Sequence, residues 1–293
     1  MDGRRLVVAT DLSENAEPAA KAAVELGSAL GLDVEVLHVL DLNRRKTTEK
    51  MEVFHDKKLR AKAEAQVGQW FEDASGEAAQ AVVLKIGDPA EEIRKVAGLE
   101  NVALLAIAMS GRGAWSRLIF GSTAMKLAGR PKGPTAVIHP DYHRFQKGMT
   151  IAVGTDFSKA SDLALKEAAQ MARATDSALR IVHVNVLPSL TVIHEGDLPP
   201  GAKTTEVVDW AQESMDELRT RNEELLDGLD VETQVVADHP VAGLRKFVEE
   251  QGVDWLVLGD RRPEQRKGTS TVKGKWVQRM NCSTMIIPTI DQI

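Results

Sequence analysis

Cysteine is almost absent from this chain. The single Cys282 excludes an intrachain disulfide framework and points to a reduced compartment. Aromatic residues are scarce, at 4% of the sequence, so packing rests on Ala, Val, Leu and Ile, the residues that fill the layers of α/β sheets. There is no surplus of positive charge. A net charge of -6 gives no general attraction to nucleic acid or to anionic lipid, both of which require clustered Lys and Arg. No apolar run is long enough to span a bilayer, and the opening MDGRRLVVATDLSENA enters a strand with no apolar leader or cleavage site. These absences lead to the expectation of a cytoplasmic protein with neither nucleic acid nor membrane as partner. What is present is ordinary globular material, 43% hydrophobic and 27% charged over 293 residues, enough for two domains.

The second half repeats the first. LVVATDLSENAEPA from Leu6 matches IAVGTDFSKASDLA from Ile151, pairing Asp11 with Asp156, Ser13 with Ser158, His38 with His183 and Val39 with Val184 at one offset of 145. Pro89 pairs with Pro240 and Ala108 with Gly259 at 151, and the closing runs TAVIHP and STMIIP align at 148. The extra residues of the second copy fall in PSLTVIHEGDLPPGAK, which reads as loop; its deletion falls between Gly259 and Lys273. The polar stretch His139 to Gly148 joins the copies, giving expected domains 1–145 and 146–293.

Within each copy, short β-branched runs alternate with helical patterns. VVAT, VEVLHVL, AVVLKI, ALLAIAM and TAVIHP read as buried parallel strands. Ala16, Ala19, Ala20, Ala23, Leu26 and Leu30 recur at helical spacing, with Ser13 placed as N-cap, and Ser158 stands likewise before the second copy's first helix. A later helix begins near Pro89. Five strands with four helices imply an α/β, doubly wound five-stranded parallel sheet in each copy, with a ligand crevice at the strand C-termini.

The segment AMSGRGAWSRLIFGST, Ala108 to Thr123, follows the fourth strand and leads into a helix. Glycine turns at a sheet mouth let backbone amides approach an anion, and a helix N-terminus adds unpaired donors and a favourable dipole. Phosphate is the guest this arrangement suits. His38 and His183 read as core histidines, since no second metal ligand lies at a suitable spacing. Cys282 reads as a buried small side chain. Trp115 and Phe120 read as packing residues.

The order TDLS, LHV, GDP and SGRGAWSRLIFGS resembles the universal stress proteins along each whole copy. The ATP signature of that family is G-x2-G-x9-G-[ST]. In copy one, Gly111, Gly121 and Ser122 match its second glycine, third glycine and hydroxyl, while Ala108 replaces the first glycine. A methyl there costs little in ordinary backbone and more than ~1 kcal/mol at positive φ. The resemblance further implies that Asp11 and Val39 line an adenine pocket with Thr10 beside them, and that Thr123 lies near the phosphates. Arg112 and Arg117 would neutralise phosphate charge, with solvated arginines as the alternative; for Asp11 the alternative is a helix cap or loop acid. Copy two departs further. Gly259 restores the first glycine, Arg262 stands where the second belongs, Gly268 follows too soon, and Asp238, His239 and Pro240 replace GDP.

The resemblance thus implies a stress-response regulatory protein that binds ATP, AMP or ADP, with or without magnesium, in copy one. Copy two has a degenerate loop, whose Arg261, Arg262, Arg266 and Lys267 would hold an anion by side-chain charge or simply be solvated. The expected assembly is an internal pseudo-dimer through the two last strands, with an unidentified protein partner and a homodimer left open. Catalysis beyond slow hydrolysis or self-phosphorylation at Ser122 is not expected. The alternative is an interaction scaffold with both pockets empty. A nucleotidyltransferase or PP-loop synthetase fits less well, because neither HxGH nor SGGxDS follows the first strand; a dinucleotide dehydrogenase fits least, because TDLSENAEP lacks the glycine trio.

Overall fold

The computed structural model describes residues 4–41, 56–110, 121–142, 145–185, 204–260, 277 and 279–289. The chain divides into two compact units, residues 1–146 with 260–293, and residues 147–259. In the first unit the elements run β1 (Arg5–Thr10), α1 (Glu17–Leu30), β2 (Asp33–Asp41), α2 (Lys57–Ser75), β3 (Ala81–Gly87), α3 (Pro89–Ala97), β4 (Val102–Ala108), α4 (Ser122–Gly129) and β5 (Thr135–Ile138). In the second they run β6 (Thr150–Gly154), α5 (Lys159–Ala174), β7 (Ala178–Asn185), α6 (Thr204–Arg221), the short α7 (Glu223–Leu226), β8 (Val231–Ala237), α8 (Pro240–Glu250) and β9 (Trp255–Asp260). The last strand, β10 (Ser283–Pro288), belongs to the first unit.

Strand order is β3-β2-β1-β4-β5 in the first unit and β8-β7-β6-β9 in the second, with parallel pairing in each. The order reverses direction at β1 and β6, the topological switch point at which open α/β sheets form a crevice. This is the α/β, doubly wound architecture expected from the alternating patterns. The departure is at the end: β10 lies antiparallel to β5, pairing Thr284 with Val137, Met285 with Ala136 and Ile286 with Thr135. The first unit's sheet is therefore mixed.

Local sequence explains the helix boundaries. Asp88 caps α3, accepting from the Glu91 amide at 3.1 Å, and Pro89 fills the first helical position, where its missing N–H is no loss. Replacing Asp88 by Ala is expected to lower stability by about 1 kcal/mol, read as a shift in the urea midpoint at unchanged m. Ser158 caps α5 by accepting from Ser161 N. Ser13 does not do the same for α1. Its hydroxyl donates to Asp11 Oδ1 at 2.5 Å, a 3₁₀ turn occupies Glu14–Ala16, and α1 starts only at Glu17. The bond to the carboxylate is not what prevents capping, because Ser158 also donates to Asp156 and still accepts from Ser161 N; what differs is the 3₁₀ turn, which sets Ser13 apart from the first turn of α1.

The polar join is fastened. Glu25 on α1 accepts from Tyr142 Oη at 2.5 Å and from the Phe145 amide at 2.6 Å, so the chain leaving β5 is held against the first unit. The core on one face of that unit gathers Val7, Leu37, Val39, Ile93, Leu105, Leu127 and Val137, with Val277 and Ile286 from the C-terminal segment. Cys282 is buried.

Candidate functional site

Strands β1, β2 and β4 present their C-terminal ends together in the first unit. At the end of β1, Thr10 is buried, and its Oγ1 accepts from the Leu12 amide at 2.9 Å. Asp11 is half-buried; its carboxylate accepts from Ser13 N at 3.1 Å as well as from the Ser13 hydroxyl. Leu12 stands between them at φ 61, a conformation that costs a bulky L-residue ~1–2 kcal/mol. The second unit builds the same turn. Phe157 has φ 57, its amide donates to Thr155 Oγ1 at 3.0 Å, and Ser158 bonds to Asp156 through both amide and hydroxyl. Strain repeated at equivalent positions marks the turn as a built feature of each sheet mouth.

Next to β1, His38 and Val39 face opposite ways, as successive strand residues must. Val39 is buried in the core cluster. The His38 Nδ1 lies 2.9 Å from the Thr10 carbonyl, which can only accept, so that nitrogen carries the proton. His183 makes the same 2.9 Å bond to the Thr155 carbonyl. Both histidines thus tie β2-type strands to the neighbouring β1-type strand ends. Among the described residues, no group of His, Cys, Asp and Glu could hold a metal ion.

Strand β4 ends at Ala108, which pairs with Ile138. Its backbone is that of a regular strand, so the methyl in place of the family's first glycine sits without strain. Met109 then closes a stem: its amide donates to the Ile138 carbonyl at 2.9 Å and its carbonyl accepts from the Gly121 amide at 2.8 Å. Gly121 therefore lies against the chain just past β4 and leads directly into α4. Gly121 is the N-cap of α4 at φ -65, ψ 143, with no side-chain cap, Ser122 is exposed and Thr123 half-buried. The helix is held by Arg94, which donates to the Lys126 carbonyl at 3.3 Å, and by Lys126, 4.0 Å from Asp88. The first turn of α4 has no side-chain cap and begins beside the chain just past β4, and an uncapped helix start is the arrangement that receives an anion.

Of the sequence-derived candidates, the structure places Thr10, Asp11 and Val39 on adjacent strands, and Ala108, Gly121, Ser122 and Thr123 around the β4–α4 stem. Gly111 and Arg112 lie outside the described residues, as do Arg117, Trp115, Phe120 and the second copy's Arg261, Arg262, Arg266, Lys267 and Gly268. Sequence reasoning passed over Ser110 and, at Gly259, the close packing that leaves no space for a side chain. A Cβ added to Gly259 would meet Ala160 O at 2.2 Å and Ser161 N at 2.7 Å. In the second unit the opening turn of α5 presses on the end of β9, where the first unit has room for a methyl.

Two tandem α/β units, each with the switch-point order and the same strained turn, define a duplicated doubly wound fold. Residues 3–139 and 149–288 each match the universal stress protein family profile, and the chain belongs to that family, with two domains of the adenine nucleotide α-hydrolase-like type. Similar solved structures include a universal stress protein from Archaeoglobus fulgidus DSM 4304, with 23% identity, TM-score 0.68, and coverage of 98% of this chain and 99% of that one. A functionally unknown protein from Pseudomonas aeruginosa PAO1 follows at 11% identity, TM-score 0.64, and 97% and 92% coverage. A putative universal stress protein from Pseudomonas aeruginosa UCBPP-PA14 has 10% identity, TM-score 0.62, and 97% and 93% coverage. Identities this low establish a shared fold only. Among curated proteins, none matches the sequence. No described helix is long and apolar enough to cross a membrane.

Proposed function

We propose that this chain is a stress-response regulatory protein whose first domain, residues 1–145, binds ATP or its mono- or diphosphate at the C-terminal end of β1, β2 and β4. The observation that carries the reading is the β4–α4 stem: Met109 and Gly121 close on each other, and the first turn of α4 is left without a side-chain cap. Peptide amides then take the phosphates, Ser122 and Thr123 add hydroxyls, and Arg112 adds charge. Thr10, Asp11 and Val39 supply the adenosine end. Magnesium, where present, would ride on the phosphates.

The second domain, residues 146–293, serves as the other half of an internal pseudo-dimer. Support for this comes from the antiparallel pairing of the two last strands, β5 with β10. Its own mouth has Gly259 pressed by α5, and we read it as no longer taking a nucleotide. The protein acts by changing its contacts with a protein partner according to occupancy of the first domain, in the reducing cytoplasm.

Isothermal titration of ATP into the wild type and Gly121→Trp tests the site. Gly121 has ordinary backbone angles, so the indole adds bulk at the stem without backbone strain. Saturable binding at one site per chain is expected for the wild type, with affinity at least ~10-fold lower in the variant, the scale of one lost charge-assisted hydrogen bond. Superimposable isotherms, or no heat from the wild type, would end the reading.

A further inference from the structure

Ser110 follows β4 by two residues and is 3% exposed, yet among the described residues its Oγ has no hydrogen-bond partner. Among the described residues, the other buried hydroxyls except that of Thr284 are satisfied. Thr10 accepts from Leu12 N, Thr135 donates to the Gly133 carbonyl, Ser177 pairs with Thr175, and Ser283 accepts from the His139 amide. Thr284 Oγ1 also lacks a partner, but Thr284 is fully buried within β10, at a register position opposite Val137, with no route to a ligand. Ser110 is placed differently. It adjoins Met109, whose carbonyl accepts from the Gly121 amide, so it stands beside the uncapped start of α4 at the open end of the sheet. A native protein that leaves a buried hydroxyl orphaned forfeits stability, and such a group calls for a partner the free protein does not supply.

We propose that Ser110 Oγ is a ligand-binding hydroxyl of the first domain, donating to a phosphate oxygen of the nucleotide held at the N-terminus of α4. The inference rests on the nucleotide reading above and adds to it a residue that the family signature leaves unspecified, since Ser110 occupies one of its two free positions between Ala108 and Gly111. An orphan hydroxyl kept for a ligand has a paired signature: removing it weakens ligand binding and strengthens the empty protein.

The test uses the full chain with Ser110→Ala and Ser110→Cys, the second keeping the side-chain shape with a much weaker donor. Calorimetry with ATP and with adenosine is combined with thermal unfolding of nucleotide-free protein. The expected result is ATP affinity reduced ~10-fold or more in both variants, adenosine affinity unchanged, and the alanine variant melting ~2–4 °C above the wild type. Equal ATP affinity in wild type and both variants overturns the role of Ser110 and leaves the nucleotide reading standing. A lowered melting midpoint for Ser110→Ala, or equal losses for ATP and adenosine, also overturns it, because both mean a structural hydroxyl. A wild type that binds no ATP removes both proposals together.

Discussion

A chain ended after Gly259 is expected to lose most of the stability of its first unit and to self-associate. The missing residues are not a tail of the second unit, because residues 260–293 are counted with the first. Val277 and Ile286 sit in the first unit's core with Leu105, Leu127 and Val137, and Met285 and Ile287 are also buried. Burial of a large apolar side chain stabilises by about 1.5–3 kcal/mol, so four such side chains represent a major share of the ~5–15 kcal/mol that holds an ordinary domain together. Truncation also bares β5, whose four residues are all buried in the intact chain and whose unpaired edge would then be a template for another chain. Circular dichroism melts should show the first transition displaced downward by ~10 °C or more, and light scattering should show dimers or larger species. Ile286→Asp in the full chain should reproduce the loss without shortening the protein. A truncated chain that stays monomeric with an unchanged first transition would contradict this account.

That pairing also shows where sequence reading stops. The runs TAVIHP and STMIIP announce buried strands, but an unbroken apolar run has the same appearance in a parallel or an antiparallel neighbour. Their association was expected from the resemblance to a family. Direction and register came from the structure. The duplication was legible because one offset aligned Asp11 with Asp156 and His38 with His183, and these pairs prove to have matching roles in turn and strand. The α3 start was legible because Asp88 and Pro89 act within one helical turn. Ser13 misled for a local reason: the 3₁₀ turn over Glu14–Ala16 delays α1 to Glu17, whereas Ser158, with the same bond to its aspartate, leads straight into α5 and caps it. Glu25 carried no signal, since Tyr142 lies 117 positions away. Ser110 carried none either, because an orphan hydroxyl is a property of surroundings, and composition and spacing do not encode it.

The glycine contrast between the two units yields the second large effect. Gly259→Ala is expected to destabilise the second unit by about 3 kcal/mol or more, at the upper end for overpacking. The atoms in the way are backbone: Ala160 O at 2.2 Å, Ala160 C at 2.3 Å and Ser161 N at 2.7 Å from the added Cβ. None of them can rotate aside, and the turn that carries them is anchored by the Ser158 cap and by the Thr155–Ser161 hydroxyl bond at 3.2 Å. The equivalent Ala108 in the first unit already has its methyl on regular strand backbone, and the chain there opens with a 3₁₀ turn over Glu14–Ala16 instead of entering the α-helix directly. Ala108→Gly should therefore cost only the ~0.5–1 kcal/mol of a glycine in a strand. It should also leave ATP affinity within about threefold, equivalent to less than ~0.7 kcal/mol. Urea unfolding of both variants, with calorimetry on Ala108→Gly, decides the matter. A tenfold gain in ATP affinity on restoring glycine at 108 would mean that the methyl obstructs the pocket, and a Gly259→Ala protein as stable as the wild type would mean that α5 does not press on β9 in solution. The expected pair of results instead makes Ala108 and the 3₁₀ turn a matched accommodation, in which a methyl fits where the second unit admits only glycine.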